Sequence, residues 1–464
     1  MKVEFITREN ADRLIIVFAG WAMDPRPFKG LRRDGYDIAL VWDYNSMHID
    51  WSFAGAYSEI CIIAWSLGVY ASAISTYAID SRVTRRVAIN GTLYPVDRRR
   101  GIPENIFRGT LEGLNERNLL KFYRRMAGSR ERFELFAANM PQRQVDELKT
   151  ELEAFYPLPL LAHEPLKRWD MAIIGRDDAI FPAVNQWRAW QGTPIEILDE
   201  PHLIDIRKII DHYIVDKERM SSRFARQQDT YDDNTPVQAN IVERLCNMAE
   251  ARGIDKYAGM RGARVLEIGC GTGLLSRHIN QWCDCETSFE MWDIAGKAPL
   301  QGPQRIFRQT DAETSIMRIP SSSVDIIASS STIQWFNSPT RFFVECSRIL
   351  ASGGYLIAST FVKGNLYEVA QATGRSLPLL SARQWSEIIP DTFDVIDWYS
   401  YSYTLEFDSA IEVFRHLKGS GVNSLDRDSA GDSHIRNALA HYGADLDGKY
   451  RATYRPLLFI LRKK

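Results

Sequence analysis

A chain of 464 residues, 45% hydrophobic and 25% charged, has the composition of a soluble globular protein and the length for two to three domains. Its 57 basic and 59 acidic side chains leave a formal charge of −2. That balance excludes a global electrostatic case for nucleic acid or membranes, so an acidic partner would have to meet local basic patches.

The six cysteines, Cys61, Cys246, Cys270, Cys283, Cys285 and Cys346, include no C-x-x-C pair, and the closest two lack a neighbouring histidine. No metal site is expected, and they read as buried thiols of a reducing compartment. Met1-Lys2-Val3-Glu4 opens into mixed polar sequence without an apolar signal core, and no apolar run approaches a membrane span. A cytoplasmic protein is expected.

In chain order, the strand candidates of the first half are Leu14–Phe18, Ile38–Trp42, Glu59–Ala64, Val87–Gly91, Met171–Gly175 and Ile195–Leu198. Unalternated apolar strands separated by longer segments predict a parallel sheet covered on both faces. The third strand runs into Trp65-Ser66-Leu67-Gly68. Ala64-x-Ser66-x-Gly68 fits a nucleophile elbow, where a sharp strand-to-helix turn demands small flanking residues. The plainer alternative is a serine capping a helix.

A nucleophilic serine needs a base and an acid, and the chain order Ser…Asp…His tests for them. Of His48, His163, His202 and His212, only His202 follows the last strand in a strand-end loop, Asp199-Glu200-Pro201-His202. Gly175-Arg176-Asp177-Asp178 closes the preceding strand. Its spacing favours Asp178 as the acid, with Asp177 in reserve. Oxyanion donors would be the backbone N–H groups of Leu67 and Trp21, the latter after the first strand.

A helical insert from about Leu93 to Pro165 carries Arg98, Arg99, Arg100, Arg124 and Arg125. In this arrangement it would cap the serine site. Such charge runs are usually solvated faces.

Phe18-Ala19-Gly20-Trp21, Ala64-Trp65-Ser66-Leu67-Gly68, Asn90-Gly91-Thr92, Gly101-Ile102-Pro103 and Asp178-Ala179-Ile180-Phe181-Pro182 together make nearly all of the first half similar to BioG-type pimeloyl-[acyl-carrier protein] methyl ester esterases. The resemblance implies a methyl ester carried on an acyl-carrier protein. That partner is strongly acidic, and the five arginines become docking candidates.

A helix over about Leu203 to Glu218 leads into the second half without a Pro/Gly/Ser-rich linker. The expected domains are 1–217 and 218–464, close enough to touch. Val265-Leu266-Glu267-Ile268-Gly269-Cys270-Gly271-Thr272-Gly273 is the densest motif of the chain. It reads as strand, tight turn and helix start, placing backbone N–H groups against a ligand. Leu274 stands where the dinucleotide pattern needs its last glycine, and the resulting E-x-G-x-G-x-G suits S-adenosylmethionine (SAM). The alternative is an ordinary tight turn in a Rossmann-like sheet.

The next strand, Glu286 to Ile294, ends in an acid for the ribose, Asp293 with Glu290 as runner-up. Asp311 would face the adenine, and Gln334-Trp335, after the strand at Ser323–Ser331, the methyl group. A fifth strand is Gly353–Thr360. Two aromatic-rich runs, Phe393–Phe407 and Ala452–Leu461, read as a closing antiparallel pair. Acids at successive strand ends make a class I SAM-dependent methyltransferase.

Phe224-x-Arg226…Tyr231, the glycine loop, Ile333-Gln334-Trp335, Gly364-Asn365-Leu366-x-Glu368-Val369 and Leu417-Lys418-x-x-Gly421-Val422-Asn423 resemble BioC-type malonyl-[acyl-carrier protein] O-methyltransferases. The likeness spans about Phe224 to Lys464. It implies methylation of a malonyl carboxylate, which is ionised near neutrality and needs no general base. Tyr231 and Gln334-Trp335 are candidates for closing over SAM and the acyl end.

The sequence therefore predicts an α/β protein: an α/β-hydrolase with a helical cap, then a Rossmann-like methyltransferase. By the two resemblances, it would make a carrier-bound methyl ester and later remove it on the way to the pimeloyl precursor of biotin. Two rival readings are a first half that only docks the carrier protein, and the same two chemistries acting on a small-molecule acid.

Overall fold

The computed structural model describes residues 1–464 except 157–168, 228–234, 261 and 421–437. His163, Tyr231 and the segment Gly421-Val422-Asn423 fall outside the described residues. Two compact units emerge, Met1–Val215 and Asp216–Lys464.

The first unit is built on β1 (Lys2–Thr7), β2 (Arg13–Phe18), β3 (Tyr36–Trp42), β4 (Glu59–Trp65), β5 (Val83–Ile89), β6 (Met171–Gly175) and β7 (Ile195–Leu198). Their order is β1-β3-β2-β4-β5-β6-β7. From β3 through β7 every pairing is parallel. The central strands β4 and β5 are buried at every position, as strands covered on both faces are, although β5 carries Thr84, Arg85 and Arg86 ahead of its apolar Val87–Ile89. β1 was not anticipated. It alternates polar and apolar residues along an edge, antiparallel to β3, where one face meets solvent.

Between β5 and β6 lie the helices Glu104–Glu112, Glu116–Ala127, Arg130–Ala137 and Val145–Glu153. Asn115 and Ser129 cap the second and third by accepting from Asn118 N–H and Arg132 N–H. This helical insert is fastened to the sheet by the Tyr123 hydroxyl, which donates to Ala22 O at 2.9 Å. A second tie is buried: Glu151 accepts from Tyr44 N–H at 2.9 Å and pairs with Arg143, which also meets Asp43 at 3.3 Å.

The helix expected over Leu203 to Glu218 is two helices, Ile206–Tyr213 and Lys217–Gln227. The break lies where the two units divide, so Lys217 belongs to the second unit.

That unit contains β8 (Arg264–Ile268), β9 (Ser288–Asp293), β10 (Arg305–Gln309), β11 (Val324–Ser329), β12 (Leu350–Phe361), β13 (Phe393–Ser400), β14 (Tyr403–Phe407), β15 (Tyr450–Tyr454) and β16 (Pro456–Lys463). The main sheet runs β10-β9-β8-β11-β12-β16-β13, with β16 antiparallel to both neighbours. The reversal of order beside β8 puts a crevice at the strand ends, where ligands bind in open α/β sheets. Helices Pro236–Ala251 and Leu274–Trp282 pack Val242, Cys246, Leu275 and Ile279 into the core with Val265, Phe289 and Ile326. The two aromatic runs of the tail do pair, but each splits between sheets. β13 joins β16 in the main sheet, while β14 and β15 form a separate two-stranded sheet.

Among the described residues, no helix is long and apolar enough to cross a membrane, and no cluster of His, Cys, Asp or Glu could hold a metal.

Candidate functional sites

β4 delivers Ser66 into a turn with φ of +59°, a conformation that costs a non-glycine residue roughly 1–3 kcal/mol and persists only when its surroundings enforce it. They do. Ser66 N–H donates to Ile89 O at 2.9 Å, and helix Gly68–Ser75 starts at once. A Cβ at Gly68 would lie 2.4 Å from Ala19 O, and one at Gly91 would lie 2.1 Å from Ser66 O. Both positions must be glycine for the turn to close.

His202 Nε2 is 3.0 Å from Ser66 Oγ, and its Nδ1 is 2.9 Å from Asp178 Oδ2. All three residues are buried, His202 at 1% exposure and Ser66 at 4%. Asp178 Oδ1 accepts from Ile180 N–H at 2.8 Å and Phe181 N–H at 2.9 Å. Its Oδ2 also accepts from Gln186 Nε2 at 2.9 Å. Asp177 is exposed, and its N–H bonds to Glu200 O. Of the two aspartates left open by the sequence, Asp178 is the one that reaches the histidine.

Two residues that hold this arrangement carried no signal of their role. Asn90, fully buried, donates to Pro201 O and His202 O at 2.9 Å and accepts from Gly175 N–H, pinning the histidine loop to the end of β6. Gln186 restrains the acid. The Trp65 indole also donates to His202 O, and the Phe181 ring stacks parallel on the imidazole at 6.2 Å. Asn90-Gly91 was visible only as a motif. Its bonding depends on loops more than eighty residues away.

Trp21 is buried beside Ser66's strand, its indole donating to Leu148 O in the insert and meeting Phe122 edge-on. Among the described residues, the backbone N–H groups of Trp21 and Leu67 donate to no protein acceptor. The insert arginines Arg98, Arg99, Arg124 and Arg125 are exposed. Arg100 is half-buried, stacked on Tyr94 at 3.7 Å and paired with Asp97, so its charge is partly committed.

In the second unit a cleft of about 900 Å³, its open mouth included, lies over the glycine loop. Gly269, Gly271, Asp293, Asp311 and Trp335 line it. A Cβ at Gly269 would collide with Thr332 Oγ1 at 2.0 Å and one at Gly273 with Pro299 at 2.6 Å, whereas Gly271 faces open space. All three have positive φ.

Asp293 closes β9 and spans the loop, accepting from Gly271 N–H at 2.8 Å and Ala295 N–H at 3.0 Å. Burial raises its carboxyl above the usual range. Glu290 points to the other face of β9, where it meets the Trp292 indole and Arg308. Side chains at these two positions diverge because of the strand's pleat and the turn that follows it.

Several motif residues do not line the cleft. Glu267 is buried behind the loop and accepts from Ser276 Oγ on the following helix; burial pushes its carboxyl up to about 8. Gln334 donates to Ser331 O and accepts from Thr360 Oγ1, bracing a turn rather than facing the cleft. Asn365 and Glu368 of the Gly364–Val369 motif bond Arg455 N–H and the backbone and hydroxyl of Thr453. They lock the β15–β16 corner and serve the fold.

Ser331, with φ of +53°, lines the cleft with a buried hydroxyl that has no partner among the described residues. Together with the fixed Asp293 carboxylate and the open cradle at Gly271, that orphaned donor fits a ligand rich in hydroxyl, amino and carboxylate groups, as SAM is.

Comparison with known proteins matches each half of the chain to a family. The family model for pimeloyl-ACP methyl esterase BioG matches residues 1–209, and a methyltransferase domain model matches residues 266–358. A malonyl-[acyl-carrier protein] O-methyltransferase of Bacteroides fragilis (strain 638R) is 33% identical, over 97% of this chain and 93% of its own. The chain belongs to this methyltransferase family. The protein of the same description from Haemophilus influenzae is 30% identical over 53% of this chain and 95% of its own. The crystal structure of BioG from Haemophilus influenzae is 32% identical and covers 44% of this chain and 94% of its own, with a TM-score of 0.40.

This family member is thus a BioG domain fused to a methyltransferase domain. The C-terminal unit has the Rossmann-like class I methyltransferase fold, and its cofactor is S-adenosyl-L-methionine.

Proposed function

We propose that the protein installs and later removes one methyl ester on an acyl-carrier protein. The C-terminal unit would methylate malonyl-carrier protein, and the N-terminal unit would hydrolyse the methyl ester of the pimeloyl-carrier product, in biotin precursor synthesis. The observation that carries this reading is the Ser66–His202–Asp178 relay in the same chain as a methyltransferase.

In the methyltransferase, Asp293 would hold the ribose hydroxyls and Asp311 the adenine amino group, with Gly269 and Gly271 letting the backbone approach. Bound SAM supplies an electrophilic methyl group. The malonyl carboxylate is already ionised near neutrality, so no residue has to remove a proton. Trp335 and Phe224, edge-on at 6.1 Å, would exclude water and align the acyl end.

In the esterase, whose strand order and elbow support an α/β-hydrolase arrangement with the helical insert as cap, Ser66 Oγ would attack the ester carbonyl as His202 Nε2 takes its proton. Asp178 keeps the imidazole oriented and offsets its charge. The N–H groups of Trp21 and Leu67 would receive the developing oxyanion. His202 then protonates the leaving methoxide, and water releases the carboxylate by the reverse sequence.

The test is incubation of the full chain with SAM and malonyl-carrier protein, and separately with pimeloyl-carrier methyl ester, each followed by mass spectrometry. A Ser66→Ala variant should lose hydrolysis and keep methyl transfer. No carrier-bound methyl ester from the first incubation, or no demethylation in the second, would refute the corresponding half.

A further inference from the structure

Lys217 opens helix Lys217–Gln227 and is 1% exposed. Lysine is almost never fully buried unless paired, and a cation at a helix N-terminus meets the unfavourable end of the dipole. Its Nζ lies 2.7 Å from Asp311 Oδ2 and 2.6 Å from Glu313 Oε2. Glu313, also buried, accepts from the N–H groups of Asn337 and Ser338. A single ammonium therefore joins this helix to the loop after β10 and, through Glu313, to the segment after β11.

The same helix covers the SAM cleft. Lys217, Met220 and Phe224 all line it, and their spacing puts them on one helical face. On that face too, Ser221 Oγ donates to Ile294 O at 3.3 Å, and Phe224 meets Trp335 edge-on. The helix touches the cleft wall beyond β9, β10 and β11. A long hydroxyl bond and one aromatic edge are weak ties. The ion pair with Glu313 is not, because removing the cation leaves a buried carboxylate without its counter-charge.

We propose that Lys217 is a positioning residue for SAM, latching this helix over the cleft while holding the Asp311 carboxylate at its wall. The inference rests on the reading of this cleft as the cofactor site. Losing the latch should weaken cofactor binding without slowing chemistry once the site is filled.

The experiment uses the full chain, titrated calorimetrically with S-adenosylhomocysteine, and methyl transfer measured at saturating SAM. Lys217→Met should weaken binding by about thirtyfold or more, since it breaks a buried pair, with kcat changed less than about threefold. Lys217→Arg should restore most of the affinity. Phe224→Ala should cost less and add little on top of Lys217→Met, because both act through one helix. Unchanged affinity in Lys217→Met, or fully additive losses, would overturn the latch. Hydrogen exchange on the wild type gives a readout independent of whether the variants fold: S-adenosylhomocysteine should slow exchange in 217–227, and no slowing there also overturns it. Wild-type protein that binds no S-adenosylhomocysteine would instead overturn the cofactor cleft, and the latch with it.

Discussion

Replacing Asp178 by Asn should disable the proposed esterase through the tautomer of His202. Asp178 Oδ1 accepts two backbone N–H groups, from Ile180 and Phe181 at 2.8 and 2.9 Å. The asparagine oxygen will keep that side, so its NH₂ must take the place of Oδ2. Gln186 Nε2 and His202 Nδ1 both lie 2.9 Å from that place. Facing a donor, His202 must present a bare Nδ1 and move its proton to Nε2, 3.0 Å from Ser66 Oγ. An imidazole protonated there cannot accept the serine proton. The expected loss of kcat is on the order of 10⁴-fold, about 5 kcal/mol of transition-state stabilisation.

Asp177→Asn should stay within about twofold of wild type, because its side chain is exposed and outside the relay. The assay is single-turnover hydrolysis of a small methyl ester, with SAM titration of the other unit as the control for folding. More than a tenth of wild-type activity in Asp178→Asn, or a comparable loss in Asp177→Asn, would refute the reasoning.

In the methyltransferase, Asp293→Ala should weaken SAM binding by about tenfold or more, since it removes both the proposed ribose ligand and the brace on Gly271 N–H. Glu290→Ala, on the opposite face of β9, should change it little; calorimetry decides, and the reverse ranking would refute the assignment. Glu267, raised from an ordinary 4.5 to about 8 by burial, binds more protons folded than unfolded between those values. The second unit should therefore lose stability as pH rises from about 4.5 to about 8, by several kcal/mol at about 1.4 per unit. Glu267→Gln should flatten that slope, and hydrogen exchange of β8 amides at about pH 5 and about pH 7.5, either side of most of that window, measures it. Reversing exposed Arg124 and Arg125 together should raise KM for carrier-bound ester by about three- to tenfold at low salt and leave a small free ester untouched. Equal loss on both substrates would mean that these arginines serve the insert itself.

Local chemistry was legible in the order of the residues alone. Largely apolar runs announced β2, β3, β4, β6 and β7 and the second half of β5, and the crowding of Ala64-x-Ser66-x-Gly68 and of the glycine loop marked both turns, because a sharp turn restricts the residues at its own positions. Side chains that depend on distant chain segments were not legible. Whether Asp177 or Asp178 meets His202 turns on which carboxylate the 178–181 turn aims inward. Whether Asp293 or Glu290 faces the cleft turns on the pleat of β9. Glu267 carried the strongest local signal of any acid, yet it lies behind the loop it introduces. Lys217 carried none, and the boundary expected from sequence left it with the first unit, whereas its contacts place it in the second. A turn is specified by neighbours in sequence, whereas burial, pairing and direction belong to neighbours in space. Asn90, Gln186 and Lys217 acquire their partners only when the sheets close.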